Sequence, residues 1–486
     1  MRVGRNIQTT LGLNFLSEDQ LEEIHLATLD VLERIGVEVY EEESLQLLKD
    51  AGAIVDGTKV RFPSGLVKQA LLTVPPRVTI NDREGNRAMD LEKRRIYYGT
   101  GSDTPNTIDI DSGERRKTIK QDVVNAVRVA DSMENVDFVM SMALASDVPE
   151  QSSDVHHFEA MVKNTSKPIL YTAHDKKGLE SIFAIAEAVK GGAKELAQSP
   201  FMALYAEPSS PLSHSKNALE KLLLCAEKKL PVIYAPAVMS GATGPVTQAG
   251  SIVVANAEIL SGLVIHQLKA SGAPFIAGGG VPPLDMKTSI CSYGDPKRDL
   301  GCTSLVRLAQ YYDMPVFTTA GCSDAQTFDQ QAGMEAGFNL LISGLAGGNL
   351  IHDLGYIGVG MTYSMEMLVL CNEAVAMVKR MLRGYDINRE TLALNIIEQV
   401  KPGGEFISRE HTYKNFKKEL TATNLLNRNN YDNWKMEGGK NFGAKANEEV
   451  HRILANGNQS RLPEEVTEAI DEVVIARDEK VVKESK

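Results

Sequence analysis

Tyrosine, histidine, glycine and carboxylate residues recur where short apolar runs of this sequence give way to loops. Tyr97 and Tyr98 lead into Gly99-Thr100-Gly101-Ser102-Asp103, and Tyr171 leads to His174. Tyr205 leads to Glu207, Tyr234 to the turn 240–245 (SGATGP), and His352-Asp353 to Tyr356. Aromatic residues are only 6% of the chain, with one Trp, so their recurrence at these ends points to a shared task. A quaternary ammonium has no N–H to donate, so hydrogen bonds cannot recognise it. The negative face of an aromatic ring can, at about 0.5–2 kcal/mol per face. Tyr97, Tyr98, Tyr205, Tyr234 and Tyr356 are therefore candidate cage residues. The competing reading makes each a core residue whose hydroxyl is satisfied by backbone.

His174 and His352 each end a run and each precede an Asp. Three readings stay open: a grip on a substrate carboxylate, metal ligation with a carboxylate, or a structural hydrogen bond. No HExxH or HxxxH pattern supports the metal. Asp103, Glu207, Asp324 and Glu335 are candidates for acid–base work. Cys322 as a nucleophile would need a base, and its neighbours offer none. The turn 240–245 and Gly278-Gly279-Gly280 allow a backbone to approach a large ligand closely. Neither matches the phosphate-cradling G-x-x-x-x-G-K-[ST] pattern.

The elements that must carry these residues follow a rhythm. Apolar runs at 95–99, 137–143, 168–172, 201–206, 231–235, 274–277, 315–318 and 349–353 start roughly 30–45 residues apart, each followed by a helical pattern. Eight such units predict an α/β chain folded as a (β/α)8 TIM barrel, with its site at the carboxyl ends of the strands. An open doubly wound sheet would carry G-x-G-x-x-G after its first strand, and GTGSD does not match. Residues 1–94 read as an N-terminal α+β cap, with helices over 18–35 (Ser17 as N-cap), 42–52 and 64–74 and a strand at 77–80. Residues 95–385 read as the barrel and 386–486 as a helical extension. Helices are expected over 386–400 and 445–456, and a frayed one in the charged tail beyond Pro463.

The net charge of -12, with no basic run, excludes a nucleic-acid partner. Five scattered Cys with no CxxC exclude a disulfide framework or a thiolate zinc site. No run approaches 18 apolar residues and the first residues hold no apolar signal core, so a cytoplasmic chain with no membrane contact is expected.

Val74-Pro75-Pro76, YYGTGSD (97–103), SGATGPVT (240–247), AGGG (277–280), GCSDAQTFDQQAG (321–333), NLIHDLGY (349–356) and RNNYDNW (428–434) together make the chain resemble the trimethylamine:corrinoid methyltransferase superfamily. The resemblance spans nearly the whole length. It implies the same barrel and methyl transfer to cob(I)alamin on a separate corrinoid protein. Founding members carry pyrrolysine, and this sequence has none. The chain is thus similar to the branch acting on quaternary amines such as glycine betaine, proline betaine or carnitine. For such a substrate, placement at the strand ends assigns the cage to Tyr97 or Tyr98, Tyr205, Tyr234 and Tyr356. His174 and His352 are then expected on the substrate carboxylate, and Gly278, Gly279, Gly280, Ser323 and Asp324 facing the cofactor. No bound metal is expected, and a homo-oligomer is. A metal-dependent lyase or hydrolase and a non-catalytic betaine binder are the competing readings.

Overall fold

Short apolar segments with both faces covered favour parallel pairing, because a helix can return each strand to the same edge of the sheet. The computed structural model describes residues 2–3, 7–8, 12–420, 423, 425–458 and 460–484. Its central strands are β1 (Tyr97–Thr100), β2 (residues 138–139), β3 (Ile169–Tyr171), β4 (Met202–Ala206), β5 (Val232–Tyr234), β6 (Phe275–Gly278), β7 (Val316–Thr319) and β8 (Leu350–Leu354). Strands β3 to β8 pair in sequence order and β8 pairs with β1, all parallel. Residues 138 and 139 bridge to Gly99 and Ile169, which closes the ring. The expected (β/α)8 barrel is present, with every strand where the apolar runs place it. Its helices are α1 (Lys120–Asp131), α2 (Ser153–Asn164), α3 (Lys176–Lys190), α4 (Lys216–Lys228), α5 (Gln248–Lys269), α6 (Pro296–Tyr311), α7 (Gln330–Ala346) and α8 (Met365–Arg383).

Alternation along each strand sorts side chains between two cores. Tyr97, Phe138, Leu170, Ala203, Ile233, Ile276, Phe317 and Leu350 pack together inside the ring. Tyr98, Val139, Tyr171, Leu204, Tyr234 and Ile351 pack outward under the helices. The hairpin Val78–Asn81/Arg87–Leu91 adds Ile80, Met89 and Leu91 to the inner core. It lies at the amino ends of the strands, where Asn81 N donates to Pro200 O and Arg83 N to Ser166 O. The ring is thereby plugged at its base, leaving the carboxyl end as its mouth.

Ser17 caps helix Glu18–Asp30 in a reciprocal capping box with Gln20. That helix and Ser64–Thr73 pack over α5. Among the described residues α5 alone is long and apolar enough to cross a membrane, and it is mostly buried as a wall helix. The charged tail is helical as expected, and residues 485 and 486, where its end would fray, lie outside the described residues. It forms helix Glu464–Glu484, which packs on α3 through Ile470, Val474, Arg477 and Val481. These positions repeat at helical spacing, a face that the surrounding charges obscure in the sequence.

Candidate active site

Strands β4, β7 and β8 bring the first group together. Tyr205, the inward residue at the end of β4, places its ring 5.1 Å from Phe317 and 6.1 Å from His352. Phe317 and His352 stack at 4.1 Å with planes 23° apart. The Tyr205 hydroxyl donates to Glu207. Glu207 is open to solvent yet ringed by protein groups. Burial pushes its pKa up, against the opposing pull of Tyr205 and His352.

The pairing of β8 with β1 shifts register between Ile351 and Leu354, and Asp353 takes φ +82°. A bulge of this kind re-aims a side chain at the end of a strand, and a non-glycine at that φ stores strain. The Asp353 carboxylate thus reaches two neighbours, with Oδ1 2.7 Å from His352 Nδ1 and Oδ2 4.0 Å from Arg298 Nη2. Arg298 is 2% exposed, lies 5.2 Å from the Tyr293 ring centroid, and its Nη2 has no hydrogen-bond partner among the described residues. Sequence reading passed over Arg298, Tyr293 and Phe317. Arg298 sits in a charged D-P-K-R-D run that resembles a solvated helix start. Asp295 caps α6 with Pro296 in its first turn, and this fixes which face turns inward.

A second group hangs from β1. Asp103 takes φ +60° and accepts from Ser141 Oγ (3.0 Å) and Thr172 Oγ1 (2.8 Å). His157 Nδ1 lies 3.2 Å from it, and His157 Nε2 accepts from Ala145 N, so the ring proton sits on Nδ1, the nitrogen beside Asp103. Burial would raise the Asp103 pKa, but these contacts outweigh it and hold the group below its usual range. Tyr356 donates to Ser102 O and covers Gly101, where a Cβ would fall 2.3 Å from its ring.

Several expected site residues lie elsewhere. Tyr97 points to the plugged base, where its hydroxyl accepts from Asp90 N. Tyr98 faces α7 and donates to Leu340 O. Tyr234 faces α5, against Gly262, and donates to His214 Nδ1, since His214 Nε2–H is committed to Ser261. Tyr98 and Tyr234 are wall residues that alternation turns outward, and Tyr97, though inward, lies at the base of the ring, so none of the three is a cage face at the mouth. His174 stands on the exposed rim beside Ser153 Oγ (2.9 Å). Gly278 and Gly279 are strand contacts: a Cβ would fall 2.6 Å from Phe317 O and 2.5 Å from Pro236 O respectively. Gly280 bridges Ala237 in the same seam. Ser323 is buried and donates to Glu335 (2.6 Å), which also receives Asp324 N. Asp324 accepts from Tyr293 N (2.7 Å) and Ser292 Oγ, pinning the β6 loop to the β7 loop. Of the expected residues, Tyr205 and His352 meet at the mouth, while Tyr356 and Asp103 belong to the second group, with Tyr356 and Asp353 both against Gly101.

Burial raises the Cys322 thiol pKa, which leaves no thiolate for attack. Among the described residues no three His, Cys, Asp or Glu side chains converge to hold a metal ion. Asp299 is raised from 3.8 to about 6, mainly by burial, with Arg298 opposing. Its folded pKa exceeds its unfolded one, so its contribution to stability is full below 3.8 and lost as pH rises through about 6. Asp299→Asn should remove this dependence. Urea midpoints of variant and wild type should diverge across that window, and parallel curves would contradict it.

A family model for trimethylamine methyltransferase (MTTB) matches residues 3–482. The trimethylamine methyltransferase MttB of Desulfitobacterium hafniense (strain DSM 10664 / DCB-2) is 32% identical over 465 residues, covering 95% of this chain and 94% of that one. The glycine betaine methyltransferase of D. hafniense (strain Y51) is 30% identical over 473 residues, covering 97% and 98%. The crystal structure of the Methanosarcina barkeri monomethylamine methyltransferase MtmB superposes with a TM-score of 0.53 at 11% identity, over 98% of this chain and 90% of that one, and so shares the fold. With a match along almost its whole length, this chain belongs to the trimethylamine methyltransferase (MttB) family of methyltransferases.

Proposed function

We propose that this methyltransferase takes a methyl group from a quaternary amine, glycine betaine by preference, and passes it to cob(I)alamin on a separate corrinoid protein. The observation that carries the reading is the mouth itself. The rings of Tyr205 and of His352 on Phe317 gather there beside the carboxylates of Glu207 and Asp353, with Tyr356 packed over Gly101 next to Asp353. Aromatic faces in an anionic setting suit a cation without N–H groups. The reading makes the enzyme cytoplasmic.

The chemistry asks little of acids and bases. The C–N electron pair stays on nitrogen, a neutral tertiary amine leaves, and no proton moves in that step. Cob(I)alamin, when presented at the mouth, supplies the electron pair that accepts the methyl group. The chain's own residues orient the amine and keep water out. Asp103 and Asp353 are already engaged by His157, Thr172 and His352, so they do not clamp the substrate cation. That matters because charge leaves nitrogen in the transition state, and a tight ion pair would favour the ground state. His352, its Nδ1 turned to Asp353, is the group assigned to the betaine carboxylate.

The test mixes the chain with its corrinoid protein in the Co(I) state and one of trimethylamine, glycine betaine, proline betaine or carnitine. Loss of the Co(I) band with growth of a methylcobalamin band is expected with a betaine. A flat spectrum across the panel would sink the reading, and conversion with trimethylamine alone would reassign the substrate. Tyr205→Ala should weaken binding of the active amine by about 1–2 kcal/mol in calorimetry.

A further inference from the structure

Three tyrosine hydroxyls lie near Asp353, and two of them are spent. Tyr205 donates to Glu207, and Tyr356 donates to Ser102 O. The third, on Tyr293, donates to none of the described residues. Burial pushes the pKa of all three up, and the charge of Asp353 adds to the rise in each. Tyr293 therefore keeps its proton and stays a donor across the ordinary pH range. The chain around it is fixed on every side. The β6 loop, residues 279–295, is tied to the β5 turn, where Ser240 N donates to Pro282 O (2.8 Å) and Leu284 N to Ser240 O (3.0 Å). Asp324 of the β7 loop accepts from Tyr293 N (2.7 Å), and two residues later Asp295 caps α6. The β8 loop makes room for the ring with Gly360, at φ +75°, where a Cβ would fall 3.1 Å from Tyr293 Cζ.

We propose that the Tyr293 hydroxyl donates to the carboxylate of the substrate and so makes the site select zwitterionic amines over simple quaternary ones, an assignment that rests on the quaternary-amine reading above. The ring itself is a poor seat for the substrate cation. The Arg298 guanidinium already stands over it, 5.2 Å from its centroid, and a second cation on the same ring would be repelled. The same guanidinium favours an anion at the hydroxyl. Asp353 does not cancel that preference, because its carboxylate lies between His352 Nδ1 (2.7 Å) and Arg298 Nη2 (4.0 Å). Tyr205 and His352 stand on the other side of Asp353, so a betaine can lay its methylated nitrogen on the Tyr205 face and turn its carboxylate towards His352 and Tyr293. A fixed donor of this kind discriminates against the analogue that lacks the acceptor, which a cage of aromatic faces cannot do.

Calorimetry of the full chain with glycine betaine and with tetramethylammonium tests the assignment. Tyr293→Phe keeps the ring under Arg298 and removes only the hydroxyl, so the unfolding midpoint should stay at the wild-type value. Glycine betaine should bind about 10- to 100-fold more weakly, the loss of one hydrogen bond to a charged group, while tetramethylammonium stays within about twofold of wild type. Equal weakening of both ligands would make Tyr293 a wall of the cage and overturn the proposal, as would unchanged binding of glycine betaine. A wild type that binds tetramethylammonium as tightly as glycine betaine overturns it too, and leaves the quaternary-amine reading standing. A wild type that binds neither sinks that reading and the proposal together.

Discussion

Arg298→Met destabilises the folded chain at neutral pH by about 3–5 kcal/mol, the usual result of stripping one partner from a buried charge cluster. Methionine replaces most of the side-chain volume, so the loss is electrostatic. It leaves Asp353 and Asp299, 3% and 6% exposed, without their shared cation. Asp299, already raised by burial against the pull of Arg298, then favours protonation further, so the deficit should shrink as pH falls. Urea unfolding of variant and wild type at neutral and acid pH tests this. A deficit of the same size at both would assign Arg298 to packing alone. Methyl transfer should fall as well, because the Asp353 carboxylate lies 2.7 Å from His352 Nδ1 and Arg298 stands behind it.

This pairing shows where sequence reading stops. Eight strands were legible because each run is apolar on both faces and is followed by one helix length, which only a covered parallel sheet explains. Which tyrosines point into the mouth was not legible, since a one-residue change in register exchanges the faces. Tyr97 and Tyr98 are neighbours, yet one plugs the base and the other lies under α7. Once Ala203, Ile233 and Leu350 are known to point inward, counting by twos sends Tyr205 and His352 inward, and Tyr234, one residue on from Ile233, outward. Arg298 was invisible for another reason. A charged helix start is normally solvated, and only the β6 loop, pinned by Asp324, folds Tyr293 over it. The bulge at Asp353 left no sequence signature beyond the motif itself.

Phe317→Leu should reduce kcat/KM by about a hundredfold, the scale of loss that follows when reacting groups move by roughly 1 Å, while costing less than about 1.5 kcal/mol of stability. Phe317 touches two site residues at once, 4.1 Å from the His352 ring and 5.1 Å from Tyr205. Leucine keeps an apolar group in the inner core but presents no flat face, so both rings lose the plane that sets their tilt. Phe317→Ala would confuse the issue, because the cavity alone costs about 3–5 kcal/mol. The leucine variant separates the two effects: an unfolding midpoint near wild type combined with a large loss of methyl transfer identifies Phe317 as the platform of the site. A variant that keeps full activity would mean that His352 and Tyr205 are oriented by Asp353 and Glu207 without it. The expected split follows from the division of labour in the barrel, where inward residues low in the strands fill the ring and those near its top aim what the substrate meets.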